Sequence, residues 1–220
     1  PLVWQDAEGN YHPLLASYET ADSVTWVYTI EPGMSWSDGE PVTAEDILFT
    51  LEYDDANGSA NFVSQTDEDG KTTEAKYASY ELSSDAMSIS LTLSSANVRE
   101  LSNMTSFRVM PKHIYEGKDS VTEIDARVTC GPYMLESFNK EAGTLTFVPN
   151  PYYPQEPNVG KIVYRLFGNE DTMYLALQQG DIDMVWAYST GVAGTYQDVL
   201  AGDANVSLIN VAAANAPAVL

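Results

Sequence analysis

Cysteine is nearly missing from this chain of 220 residues, where Cys130 stands alone. A single thiol excludes an internal disulfide, a cysteine-based zinc cluster and a CxxC redox pair, so the fold must be held by its own core. Histidine is almost as scarce, with only His12 and His113. Neither lies in a nucleophile motif, there is no GxSxG, and Cys130 precedes Gly131 and Pro132 with no catalytic signature around it. A nucleophilic triad therefore has no support. GxGxxG and GxxxxGK[ST] are absent as well, which removes a phosphate-cradling loop.

Positive charge is the third shortage. Lys and Arg total 10 against 32 Asp and Glu, for a formal net charge of -22. Such a chain repels a phosphate backbone or an anionic membrane surface, and nucleic acid is excluded as a partner. The acidic excess reads as a solvated surface, the alternative being a cleft that attracts cations. No apolar run approaches the roughly 20 residues that span a bilayer. The first residue is Pro1, with no methionine and no signal-like stretch behind it, as expected of a processed or trimmed sequence.

What is present is enough for a folded α/β chain. Hydrophobic residues make up 44% and aromatics 11%, and the length allows two sublobes. Residues 4–9 predict a first strand and a turn at Glu8, Gly9 and Asn10, and residues 25–30, rich in β-branched and aromatic side chains, predict a strand stopped by Pro32 and Gly33. A turn at residues 36–39 leads to a helix whose first turn holds Thr43 and Asp46 at capping-box spacing, with Ile47, Leu48 and Leu51 on one face. The polar stretch 54–74, centred on Asp67, Glu68, Asp69 and Gly70, predicts a surface hairpin tip; its acids lack the full ligand spacing of a calcium loop. Residues 88–93 alternate polar and apolar, burying Ile89, Leu91 and Leu93. Pro111 opens a short helical turn, and a sublobe boundary is expected near residues 120–130.

Two strands are predicted over residues 133–137 and 144–148. Residues 161–167, 172–179 and 182–186 then read as strand, helix and strand, with Gly180 capping the helix. Residues 196–201 and 206–211 repeat helix and strand, which predicts a parallel or mixed sheet with right-handed crossovers. In such sheets ligands settle beyond the carboxyl ends of the strands, and the strand at 182–186 ends in Trp186, Ala187 and Tyr188, candidate pocket residues or core caps. Asp181 and Asp183, two apart at a strand start, could act as a carboxylate pair, but a helix-to-strand junction commonly uses such residues for local hydrogen bonds. Met173 and Met184 read as core filler.

The run at residues 26–47, WVYTIEPGMSWSDGEPVTAEDI, closely resembles the signature of the family 5 extracellular solute-binding proteins, the peptide and nickel binding group of ABC importers. Cys130 to Tyr133 (CGPY), Asn150 to Tyr153 (NPYY) and Gly180 to Asp183 (GDID) resemble three further landmarks, in the same order. The chain departs from the family at Glu31, where an Arg is usual, and at Cys130, where a small residue is usual.

The resemblance implies a periplasmic-binding-protein-like class II lobe with a mixed sheet and flanking helices. It implies an outer subdomain over 1–125, a sheet-bearing subdomain over 126–220, and a second lobe lying outside this sequence. By the same resemblance, Trp186, Ala187 and Tyr188 line the ligand cleft, and Asn215, beside Ala213 and Ala214, falls near the crossing between lobes. No catalytic residue, metal ligand or cofactor is implied. The expected protein is a non-enzymatic, monomeric, extracytoplasmic bacterial binding protein, periplasmic or lipid-anchored at the cell surface. It would hand a small solute, an oligopeptide or dipeptide, to the membrane subunits of a permease. A carbohydrate-active hydrolase using Asp181 and Asp183 and a cell-surface adhesion module remain as alternatives.

Overall fold

Short antiparallel strands come first along the chain. In the computed structural model, which describes residues 1–118, 127–185, 192 and 194–209, β1 (Val3–Gln5) pairs with β2 (Tyr11–Pro13) across a turn that Asp6 organises. Asp6 Oδ1 accepts the amides of Glu8 at 3.1 Å and Asn10 at 2.8 Å, the local bonding that favours aspartate in turns. β3 (Ala16–Glu19) and β4 (Thr25–Ile30) follow, then α1 (Ala44–Ala56). The polar stretch forms the hairpin of β5 (Gln65–Thr66) and β6 (Thr72–Thr73). Asp67 closes its tip by accepting the amides of Asp69 and Lys71, so the acids of this loop serve a turn. β7 (Tyr77–Leu82), β8 (Ser88–Leu93), α2 (Glu100–Met104) and α3 (Lys112–Tyr115) complete this part.

The largest sheet has the order β3-β4-β8-β7, antiparallel throughout. Its core face follows from alternation: Trp26, Tyr28 and Ile30 of β4 and Ile89, Leu91 and Leu93 of β8 are buried. The register sets Tyr28 opposite Ile89 and Trp26 opposite Leu91, so the two apolar rows meet side by side. Ala44, Ile47 and Leu51 of α1 are also buried and share the core cluster with both strands, as the three-and-four spacing requires. Each of the larger side chains contributes roughly 1.5–3 kcal/mol by leaving water.

One acid sits inside this core. Glu100 is fully buried; Tyr77 donates its hydroxyl to Oε1 at 2.7 Å and the Lys76 ammonium lies 3.0 Å from Oε2. Burial first, and then the neighbouring carboxylate, pushes the Tyr77 and Tyr28 hydroxyls well above the ordinary phenol range. Both therefore remain protonated.

Beyond residue 127 the chain forms β9 (Tyr133–Asn139), β10 (Thr144–Pro149), β11 (Ile162–Arg165), α4 (Glu170–Gln179) and α5 (Gly194–Ala201). The strand order is β11-β10-β9. Leu166, one past the end of β11, donates to Gly143, one before the start of β10, so these neighbours run in opposite directions. Asn169 caps α4 by accepting the Thr172 amide at 2.9 Å, and Gly180 ends it in the left-handed region at φ 77°. Tyr174 and Tyr196 bring α4 and α5 together, with ring centroids 4.4 Å apart.

The chain separates into two compact units, Pro1–Leu135 with Phe147–Lys161, and Glu136–Thr146 with Ile162–Leu220. The division drawn at 125/126 from sequence differs from this one. Residues 127–135 cluster with the first unit, and the β9-β10 hairpin carries the chain into the second unit and back.

Strands and helices together place the chain in the α/β class, but the expected βαβ succession is not found. Residues 182–185 and 206–209 are not strands. The helix of that succession forms, whereas the segment after Gly180 has no bonded strand beside it among the described residues, and a strand exists only through its neighbour. Met184, expected in the core, is 68% exposed for the same reason. Among the described residues no helix is long and apolar enough to cross a membrane.

Glu100→Ala should lower unfolding stability by about 3 kcal/mol, because it strips a buried hydrogen-bonded ion pair of one partner. Urea denaturation followed by circular dichroism measures this, and a change below about 0.5 kcal/mol would show that the pair is dispensable.

Candidate functional site

Three of the four landmark runs come together in the first unit. Ser37 donates its amide to the Thr129 carbonyl at 2.8 Å, and its hydroxyl oxygen accepts the Thr129 amide at 3.1 Å. That ties the signature run to the stretch before Cys130. Asn150, 3% exposed, donates its side-chain amide to the Gly131 carbonyl at 2.9 Å and its backbone amide to Pro132 at 2.9 Å. The next side chain but one, Tyr152, lies against Gly39. A Cβ at Gly39 would meet the Tyr152 ring at 3.2 Å, and Gly39 also has φ 95°, so both space and backbone require glycine there.

The centre of this joint is Asp46. Its Oδ2 accepts Trp36 Nε1 at 3.2 Å and the Thr43 amide at 2.9 Å, and its Oδ1 accepts the Lys112 amide at 2.8 Å. An acid 4% exposed is tolerable because its lone pairs are taken. Lys112 also reaches Glu45 Oε2 at 2.8 Å, a half-exposed ion pair of small worth. The Thr43–Asp46 spacing was legible as a helix cap. The two longer bonds, to Trp36 and Lys112, were not, since nothing local marks them.

Cys130 borders this joint. Burial pushes its thiol up to about 11, so it is a poor nucleophile near neutrality. His12 and His113 each pair with one carboxylate, Asp6 at 2.7 Å and Asp38 at 2.8 Å. Hydrogen bonding to His12 is the largest cause holding the Asp6 carboxyl down at about 2.

The fourth landmark lies in the second unit. Asp181 donates its backbone amide to Ala176 O at 2.9 Å, closing α4, a main-chain bond that does not use its carboxylate. Asp181 and Asp183 are both exposed, and neither lies on a strand, so the shared direction expected of a strand pair does not apply. Among the described residues no group of three or more His, Cys, Asp or Glu side chains is placed to hold a metal ion. The ligand candidates Trp186, Ala187, Tyr188 and Asn215 lie outside the described residues.

A cavity of about 390 Å³ within the second unit was missed from sequence. Its lining includes Arg165, Phe167, Thr172, Leu175, Gln179 and Asp181, and the Arg165 guanidinium stands 4.8 Å over the Phe167 ring. The signal for it in the sequence is the carboxyl end of the strand at 161–167, where this cavity lies at the end of β11. It offers one cation and one carboxylate on a part-apolar wall, the composition of a small polar ligand site.

A family model described as Bacterial extracellular solute-binding proteins, family 5 Middle matches residues 10–212. The chain is similar to the Nickel-binding periplasmic protein of Escherichia coli (strain K12), 27% identical over 195 residues, which covers 84% of this chain and 35% of that protein. It is also similar to the Probable D,D-dipeptide-binding periplasmic protein DdpA of the same organism, 27% identical over 187 residues, covering 81% and 34%. Among solved structures, the ABC transporter substrate binding protein CtaP from Listeria monocytogenes matches with a TM-score of 0.65 at 26% identity, over 83% of this chain and 37% of that one. The chain thus spans about a third of the length of the curated relatives it matches.

Asp46→Asn leaves one acceptor oxygen where three N–H donors point, and should cost about 2–3 kcal/mol in urea unfolding with an unchanged slope; a cost near zero would remove Asp46 from its central place. The Cys130 thiol, with its folded pKa raised, contributes stability that is present below its ordinary value of 9.0 and is lost as pH rises towards about 11. Iodoacetamide at pH 8 should therefore label the native chain far more slowly than the urea-unfolded chain, and equal rates would contradict the assigned burial.

Proposed function

The chain belongs to the bacterial extracellular solute-binding proteins of family 5, and from that premise we propose that it supplies part of the ligand-binding wall of an ABC importer's substrate-binding component. The observation that carries this is the match over residues 10–212 together with the bonding of its landmarks, in which Asp46, Gly39, Ser37 and Asn150 lock the signature runs into one joint.

We propose a peptide, an oligopeptide or dipeptide, as the solute. The D,D-dipeptide specificity in the name of one relative supports it, as does a cavity carrying Arg165 and Asp181 beside Phe167: a zwitterion presents a carboxylate and an ammonium joined by less polar backbone. Trp186, Ala187, Tyr188 and Asn215 are proposed to add to the cleft. An outer and a sheet-bearing subdomain of one lobe are proposed to correspond to the two units, with residues 127–135 and 147–161 belonging to the outer one. The ligand would be enclosed against a second lobe, and closure would present a surface to the permease. In this reading the protein acts outside the cytoplasmic membrane as a monomer, free or lipid-anchored, makes no bond and breaks none, and binds no nucleic acid.

Calorimetry and thermal shift on the full-length protein and on this chain, with a dipeptide set including D-Ala-D-Ala and with nickel-histidine, test the proposal. The full-length protein should bind at least one dipeptide, with about 2.7 kcal/mol of stabilisation at a hundred times Kd, and this chain should bind it at least a hundredfold more weakly. Equal tight binding by both would overturn the shared wall, and binding of nickel-histidine alone would overturn the peptide reading.

A further inference from the structure

The first unit has a cleft of its own, with a volume of about 410 Å³. Trp4, Leu14, Glu31, Met34, Tyr153 and Gln155 line it together with prolines. Trp4 and Leu14 remain 46% and 39% exposed, although Leu2, Val3 and Leu15 beside them are at most 3% exposed. The strand alternation that buries Val3 turns Trp4 outward, so these apolar surfaces are presented by the fold rather than left by loose packing.

The wall is held in place. One face of the Trp4 indole stacks on His12, with centroids 4.8 Å apart and planes 27° from parallel, and His12 is fixed by Asp6 at 2.7 Å. Glu31 stands on a tied turn: its amide donates to Leu15 O at 2.9 Å, its carbonyl accepts from Met34, and Gly33 turns at φ 80°. Among the described residues Glu31 carries the only formal charge in the lining, and no Lys, Arg or His pairs with it. Prolines supply no backbone N–H, which weakens the wall as an anion site, and the surrounding chain carries a formal charge of -22.

We propose that this cleft binds an organic cation, an ammonium or guanidinium group on a flat or aliphatic body. The cation sits at the Glu31 carboxylate and the body lies on the indole of Trp4 and the side chains of Leu14 and Met34. An indole face and a carboxylate attract the same cation, and a volume of several hundred cubic ångströms suits a small molecule. The site is built on the first unit alone and does not depend on the solute cleft proposed above.

Phenethylammonium is the probe, with 2-phenylethanol as its neutral and 3-phenylpropionate as its anionic counterpart, each titrated into the chain while the indole N–H resonances are followed by NMR. The Trp4 resonance is assigned by its loss in Trp4→Phe. Phenethylammonium should move that resonance saturably, and both counterparts should bind at least about tenfold more weakly, the scale of one charge-assisted contact. Glu31→Gln should weaken phenethylammonium about tenfold and leave 2-phenylethanol unchanged. Equal binding of the neutral probe, an unaltered Kd in Glu31→Gln with native circular dichroism, or no saturable shift would each overturn the proposal.

Discussion

A buried carboxylate that must receive donors from its own helix cap and from two other parts of the chain is the constraint on which the first unit depends. Asp46 is set in the first turn of α1, where the helix dipole favours it, and there it receives the Trp36 indole, the Thr43 amide and the Lys112 amide. Thr50, one turn on, donates to the Asp46 carbonyl and accepts the Met110 amide. The loop before α1 and the chain around α3 are thus pinned to the same helix end. An unpaired charge at this depth would be costly, so the donors have to arrive together.

The same economy explains how a chain with so large an acidic excess folds. Of its 32 acids, the described structure buries Asp46 and Glu100, each supplied with donors, and the turn acids Asp6, Asp22 and Asp67 spend their oxygens on nearby amides. The remaining charge can stay in water, where repulsion is screened within about 10 Å at ordinary ionic strength. Glu31 differs from both groups: among the described residues no cation or local amide is bonded to its carboxylate, and it lines a cleft with Trp4, Leu14 and Met34.

Local patterns were legible wherever one short segment contained the whole cause. The alternation of residues 88–93 names its buried face without reference to any partner, the Thr43–Asp46 spacing marks a helix start, and Gly180 marks an end. Of the strand expected at residues 182–186, the described part, 182–185, is not a strand, because its cause was not local: an apolar alternation says which face would be buried, and only a neighbouring strand makes it a strand. The candidate site divides in the same way. Trp186, Ala187, Tyr188 and Asn215 rest on resemblance, whereas the grouping of Arg165, Phe167 and Asp181 needed coordinates, because they come from a strand end and the far end of the following helix.

By itself, then, the sequence determined the family, the α/β class, the central strands and the capped helices, since periodicity, turn chemistry and ordered motifs are properties of neighbouring residues. Tertiary structure alone decided that three of the motifs are bonded into one joint, that Glu100 lies in the core, and that an exposed indole shares a cleft with a carboxylate that no cation pairs with among the described residues. Those facts join residues as far apart as Trp4 and Tyr153. Hydrogen bonds and desolvation act across space, and no spacing along the chain records them.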